Sequence, residues 1–164
     1  MKKNRLKSLA LAAVVSMAAA NASAEVVAFV TANTNHTWSE YGGPYRVPGM
    51  RTASFSHPGG RLVATFSADC ALDSDPAYGQ TFVDVEINVQ DSRGNFVASL
   101  SPSGALAPFC SSSGAPGFNN RGSFATTGVG ELPPGTYTVI VRAQINKGIR
   151  TTAVLGPRSL VVLR

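Results

Sequence analysis

Apolar and polar side chains alternate with a period of two over three long stretches of this chain. In residues 61–71, Leu62, Ala64, Phe66, Ala68 and Cys70 fall on one side, and Val63, Thr65, Ser67 and Asp69 on the other. Residues 80–90 repeat the pattern, with Val83, Val85, Ile87 and Val89 inward and Phe82, Asp84, Glu86, Asn88 and Gln90 outward. Residues 136–145 do so again, with Tyr137, Val139, Val141, Ala143 and Ile145 inward. Successive side chains of a β-strand point to opposite faces, so each stretch predicts a strand with one core face and one wet face. Shorter strands are expected at 25–31, 50–56, 95–100, 122–128, 151–155 and 159–163, giving nine in all. Turn signals separate them: His57-Pro58-Gly59-Gly60, Asp73-Ser74-Asp75-Pro76, Asp91-Ser92-Arg93-Gly94, Pro133-Pro134-Gly135 and Asn146-Lys147-Gly148. Residues 32–50 and 101–120, rich in Gly, Pro, Ser and Asn, are expected to be irregular. Many one-sided strands bury their apolar faces most simply as two stacked sheets. The expected fold is therefore all-β, a two-sheet antiparallel β-sandwich of jelly-roll or immunoglobulin-like type, ahead of a closed barrel.

The first 24 residues break this pattern. Lys2, Lys3, Arg5 and Lys7 precede an apolar run from Leu9 to Ala20, and Ala22-Ser23-Ala24 is a small-x-small cleavage motif. That is the layout of a secretory signal peptide. Residues 1–24 are thus expected to be a cleaved leader, residues 25–164 a single sandwich domain, and the location periplasmic or extracellular. The run is too short for a stable membrane span, which takes about 20 apolar residues. No transmembrane segment is expected after the cut.

Export changes the meaning of charge and of the cysteines. The chain has 14 Lys and Arg against 9 Asp and Glu, but four of the cations and none of the acids lie in the leader. The remaining part is nearly neutral, without the basic stripe that nucleic-acid binding needs. Cys70 and Cys110 are the only cysteines. In an oxidising compartment they are expected to pair. Neither C-x-x-C redox spacing nor a metal-ligand spacing is present. The closed loop would make the bridge worth roughly 4 kcal/mol.

Leu132-Pro133-Pro134-Gly135-Thr136-Tyr137, leading into Thr138-Val139-Ile140-Val141-Arg142-Ala143, resembles a hairpin of exported bacterial β-sandwich domains, including immunoglobulin-like and fibronectin-type modules. Phe66-Ser67-Ala68-Asp69-Cys70 with Val83-Asp84-Val85-Glu86-Ile87 is similar to segments of secreted bacterial sandwich proteins. The resemblance implies a fold, with the Tyr137 hydroxyl reaching backbone at the corner, and no activity. The only tryptophan, Trp38, precedes both cysteines, unlike the core Trp of an immunoglobulin domain. The cysteine spacing is also similar to that of chaperone-assembled pilins, although the Leu163-Arg164 end differs from theirs.

Candidate chemistry is sparse. There is no G-x-S-x-G elbow, and His36 and His57 fall in expected loops, so no catalytic residue and no cofactor are assigned. His36, Glu40 and His57 would suit zinc only if a helix aligned them. Asp69, Asp73 and Asp75 are a weak calcium candidate that misses the calcium-loop spacing. Asp84 and Glu86 share one outward strand face with no visible cleft, unlike a glycosidase carboxylate pair. The best candidate is an aromatic one. Trp38, Tyr41 and Tyr45 lie among Asn, Ser, Gly and Pro, a composition suited to a carbohydrate or peptide ligand on a loop held by a rigid scaffold. The sequence thus points to an exported non-catalytic sandwich protein with a binding or structural role. A pilus-like assembly subunit and a carbohydrate-binding module using Trp38, Tyr41 and Tyr45 are the alternatives.

Overall fold

The computed structural model describes residues 24–39, 42–73, 80–100, 108–112, 121–146 and 151–164. Residues 1–23 of the expected leader lie outside these residues. Eleven strands are present: β1 (Val26–Ala32), β2 (His36–Trp38), β3 (Gly42–Arg51), β4 (Phe55–His57), β5 (Gly60–Asp73), β6 (Phe82–Asp91), β7 (Phe96–Ser99), β8 (Cys110–Ser111), β9 (Gly122–Leu132), β10 (Gly135–Asn146) and β11 (Thr152–Leu163). They form two antiparallel sheets. One runs β1-β11-β5-β9, with β2 beside β1 on the β11 edge; the other runs β3-β10-β6-β7, with β4 on β10 and β8 on β6. The inward residues of β5, β6 and β10 meet between the sheets. Phe66, Leu62, Val83, Ile87, Val89, Val139, Val141, Leu155 and Leu160 are fully buried there. A two-sheet antiparallel sandwich is therefore the fold.

The cysteines join the sheets. Cys70 lies in the inward row of β5, just before Leu72, Cys110 opens β8, and the two are disulfide-bonded with Cα atoms 6.3 Å apart. At the β9–β10 corner, the Tyr137 hydroxyl donates to the Pro133 carbonyl at 2.9 Å, as the resemblance implied. At the β6–β7 reversal, Asp91 accepts from the backbone N–H groups of Arg93 and Asn95. Its carboxyl pKa is lowered, first by the Asn95 side chain and then by the Asn95 N–H. Gly94 adopts φ 85° there.

Several expectations are corrected. Residues 32–50 are not an irregular loop but hold β2 and most of β3. β3 is an edge strand on β10, and its Pro44 and Pro48 sit where a missing N–H breaks no inner ladder. The ends of the 50–56 candidate belong to β3 and β4. The final two strands are one strand, β11, carrying a bulge. Between Leu155 and Arg158 it advances three residues while β5 advances two, from Cys70 to Ala68. Phe82, Asp84 and Asn88 do not face water: they are 7%, 1% and 4% exposed. β6 is an inner strand, and polar neighbours close over its second face. Asn146 donates to Asp84 there, and Gln144 donates to Asn146. His57 is not an exposed turn residue. It is buried at the end of β4, donates from Nε2 to the Gly60 carbonyl at 3.2 Å, and lies edge-on to Tyr137.

β9 runs through Gly128 and Gly130 to Leu132 instead of stopping at Gly128. The glycines mark a close approach between the sheets. A Cβ on Gly128 would overlap the Leu100 carbonyl, and one on Gly130 would strike the Leu100 side chain. Gly128→Ala is therefore expected to cost about 3 kcal/mol, since backbone must move to admit the methyl group. Urea unfolding checks this; a variant within about 0.5 kcal/mol of wild type would refute the close approach.

Candidate functional site

β2 lies on the edge of one sheet and β3 on the edge of the other, and both edges fall on the same side of the sandwich. The seam between them is an open groove of about 490 Å³. His36, Thr37, Trp38, Ser39, Tyr45, Arg46 and Pro48 line it. In a strand, residues two apart share a face, and this puts the His36 ring on the Trp38 indole. The rings are stacked with centroids 5.5 Å apart and planes 19° apart. Tyr45 stays 43% exposed on the opposite wall. The indole Nε1–H is buried and has no acceptor among the described residues. Arg46, next to Tyr45 in β3, lies opposite Arg142 of β10.

Behind the groove, Arg158 holds the two walls together. The extra residue of the β11 bulge turns this side chain inward, where it is 5% exposed. Its Nε and Nη2 donate to the Pro48 carbonyl on β3 at 3.2 and 2.8 Å. Nη1 donates to the Thr34 carbonyl ahead of β2 at 2.6 Å and to Gly156 at 3.0 Å. All four bonds end on neutral carbonyl oxygens. No ion pair to it is present among the described residues, and burial lowers the guanidinium pKa from its ordinary value. Nothing in the sequence marks this role, because the bulge that buries Arg158 follows from Gly156 and Pro157 in three dimensions.

His36 feels the same surroundings. Burial first, and the Arg158 charge second, lower its pKa from the ordinary value. The unfolded chain takes up a proton near pH 6.5, whereas the folded chain resists it. Stability is thus expected to fall as pH drops below about 6.5 and to level off below the folded value. His36→Gln should flatten that part of the profile. Urea midpoints between about pH 7.5 and 5 check it, and an unchanged slope in the variant would refute the assignment.

The structure brings Trp38 and Tyr45 to one groove, on strands rather than on a loop; Tyr41 lies outside the described residues. Of the zinc candidates, His36 and His57 belong to different sheets, and Glu40 lies outside the described residues. Asp69 and Asp73 are four residues apart on β5, which separates them by about 13 Å along the strand. Asp75 lies outside the described residues. Asp69 accepts a hydrogen bond from Ser123 on β9. It also borders two shallow depressions on the outer face of its sheet, with Asn35, Arg121 and Gly156 around one and Asn33, Ser67, Arg158 and Ser159 among those around the other. No group of three or more His, Cys, Asp or Glu placed to hold a metal ion occurs among the described residues. No described helix is long and apolar enough to cross a membrane.

No family model and no curated protein matches this chain. Solved structures do. The VP2 subviral particle of infectious bursal disease virus aligns with a TM-score of 0.55 and 10% identity, over 82% of this chain and 32% of that one. The Gx strain of the same virus gives 0.53 and 12%, over 87% and 32%. The chain thus spans about a third of the length of these viral chains. The K3 cleaved adhesin domain of Lys-gingipain from Porphyromonas gingivalis w83 aligns more loosely, at a TM-score of 0.39 and 18% identity, over 78% and 71%. At such identities the viral likeness is one of fold. It places this chain among two-sheet β-sandwich proteins, an architecture that hosts many functions.

Proposed function

We propose that this chain is an exported, non-catalytic binding protein whose seam groove takes a carbohydrate ligand. The observation that carries the reading is the stacked His36–Trp38 pair facing an exposed Tyr45 across one open groove. Aromatic faces cover the apolar faces of a sugar ring, and Thr37 and Ser39 supply polar contacts at its edge. Among the described residues that line the groove there is no carboxylate pair of the glycosidase kind, and our reading is of binding without chemistry. The inter-sheet disulfide and the leader of residues 1–24 support an oxidising compartment outside the cytoplasm.

Trp38 is the only tryptophan in the chain, so its fluorescence reports on the groove directly. Titration with a panel of oligosaccharides is expected to quench or shift that emission. Tyr45→Ala should weaken the response about tenfold while leaving the urea midpoint nearly unchanged, since Tyr45 is exposed. A flat response across the panel would reject the reading. An assembly subunit would instead show concentration-dependent association in sedimentation.

A further inference from the structure

We propose that two copies of this chain pair face to face through the outer surface of the β1-β11-β5-β9 sheet. Phe29, Val26 and Val129 stand on this surface, 60%, 57% and 47% exposed. Val26, Leu163, Val63 and Val129 form one cross-strand row, and Phe29 and Val161 begin the next. That second row ends in Thr65 and Thr127, whose hydroxyls bond each other at 2.9 Å. In the row after it, the hydroxyls of Ser67 and Ser159 bond at 2.8 Å. Hydroxyls that satisfy one another lose less on leaving water than bare ones do. The middle of the surface is thus apolar or self-paired, and its charges stand at the ends of β5 and β9. An apolar centre with a polar rim is the anatomy of a protein interface.

Those charges identify the partner as a second copy. On β5, Arg61 lies at one end of the surface and Asp69 at the other. On β9 the order is reversed, with Glu131 beside Arg61 and Arg121 just ahead of the strand at the Asp69 end. A twofold axis in the interface, running across the strands, lays each strand antiparallel on its own copy. It sets Arg61 over Asp69 of the second copy and Glu131 over its Arg121, each pair occurring twice. An axis along the strands would lay β5 on β11 and leave these charges unmatched. Strand spacing and rise make the surface about 19 Å wide and about 27 Å long, so two copies bury about 1,000 Å², enough for a specific interface. Pairing uses up the surface on both copies, so association closes at two. The axis also keeps the strand order, so both seam grooves open on the same side of the pair.

Sedimentation equilibrium of the exported chain tests this. A monomer–dimer equilibrium is expected, with its midpoint on the order of 1–100 μM for an interface of this size. Phe29→Asp and Val129→Asp should each weaken it at least about tenfold. Both residues are exposed, so the urea midpoint of the dilute monomer should not move. Glu131→Arg should weaken pairing about tenfold at low salt and less at high salt, and adding Arg121→Glu should bring it back to within about threefold of wild type. A chain that stays monomeric at every concentration would overturn the proposal, and so would pairing that survives both aspartate variants. Failure of the double charge swap to rescue would overturn the axis. Species that keep growing beyond two copies would overturn the closed pair and favour an assembly subunit. A monomeric chain that co-sediments with phosphatidylglycerol vesicles would give the surface to a lipid face instead. Trp38 lies on the seam and not on this surface, so the oligosaccharide titration stands or falls separately.

Discussion

Arg158→Met is expected to destabilise the fold by roughly 4–5 kcal/mol, the largest effect of any single substitution considered. The guanidinium makes four hydrogen bonds to three carbonyl groups from three separate segments. Hydrogen bonds to a charged group contribute about 1.5–3 kcal/mol each, and a buried acceptor left bare costs about 1–3 kcal/mol. Relief from burying a charge offsets part of this, because methionine fills similar space without desolvation. Arg158→Lys should recover little, since an ammonium cannot reach Pro48, Thr34 and Gly156 with one planar fork. The effect should extend to function. Pro48 is a groove wall, and Thr34 precedes the strand that carries His36 and Trp38. Loss of the clamp should therefore weaken ligand binding even where the variant remains folded. Chemical denaturation and Trp38 fluorescence check both parts. A loss below about 1 kcal/mol would show that the walls are held by something else.

Removing the disulfide with Cys70→Ala and Cys110→Ala together should cost about 4 kcal/mol, because the unfolded chain regains the freedom of a loop of about 40 residues. The bridge is also the covalent link between sheets, from β5 to the short strand β8. The described part of the loop that carries Cys110 is otherwise tied down by few backbone bonds, such as Phe109 to Val83 and Ser112 to Thr81. Thermal unfolding of oxidised, reduced and doubly substituted protein measures the cost. Equal midpoints for all three would mean that β8 docks without its covalent tie.

The two effects differ in how visible they are in the sequence. The disulfide was legible: two cysteines, one of them on the inward row of an alternating strand. So were β5, β6 and β10, whose inward residues form the core, and the corner at Tyr137, where Pro133, Pro134 and Gly135 set the reversal. These features are local, and a period of two or a turn motif encodes them. What escaped is set by neighbours far along the chain. Pro44, Pro48 and Gly49 hid β3, because an edge strand tolerates residues that an inner strand cannot. Gly128 and Gly130 looked like a strand end, yet they keep β9 clear of Leu100. Gly156 and Pro157 looked like a break, yet they form a bulge within a continuous strand. The outer face of β6 looked wet because Asp84 and Asn88 are polar, whereas Asn146 and its neighbours cover it. The aromatic site was half legible. Trp38 and Tyr45 were singled out by composition, but their meeting across a seam, with His36 stacked on Trp38 and Arg158 tying the walls, depends on β2 and β3 belonging to different sheets.

The same distinction separates what folds the domain from what gives it a site. Both sheets could close without an exposed Tyr45, and the stacked rings at the seam contribute chiefly a shaped groove. The buried Arg158 serves both, since it ties β3 and the segment ahead of β2 to β11. Backbone amide shifts of isotope-labelled protein, followed while the oligosaccharide that most perturbs Trp38 emission is titrated in, test the seam groove most directly. The largest shifts are expected on His36, Thr37, Trp38 and Tyr45, with the outer face of β5 and β9 unmoved. Shifts centred instead on Asp69 and Ser123 would contradict a binding site at the seam.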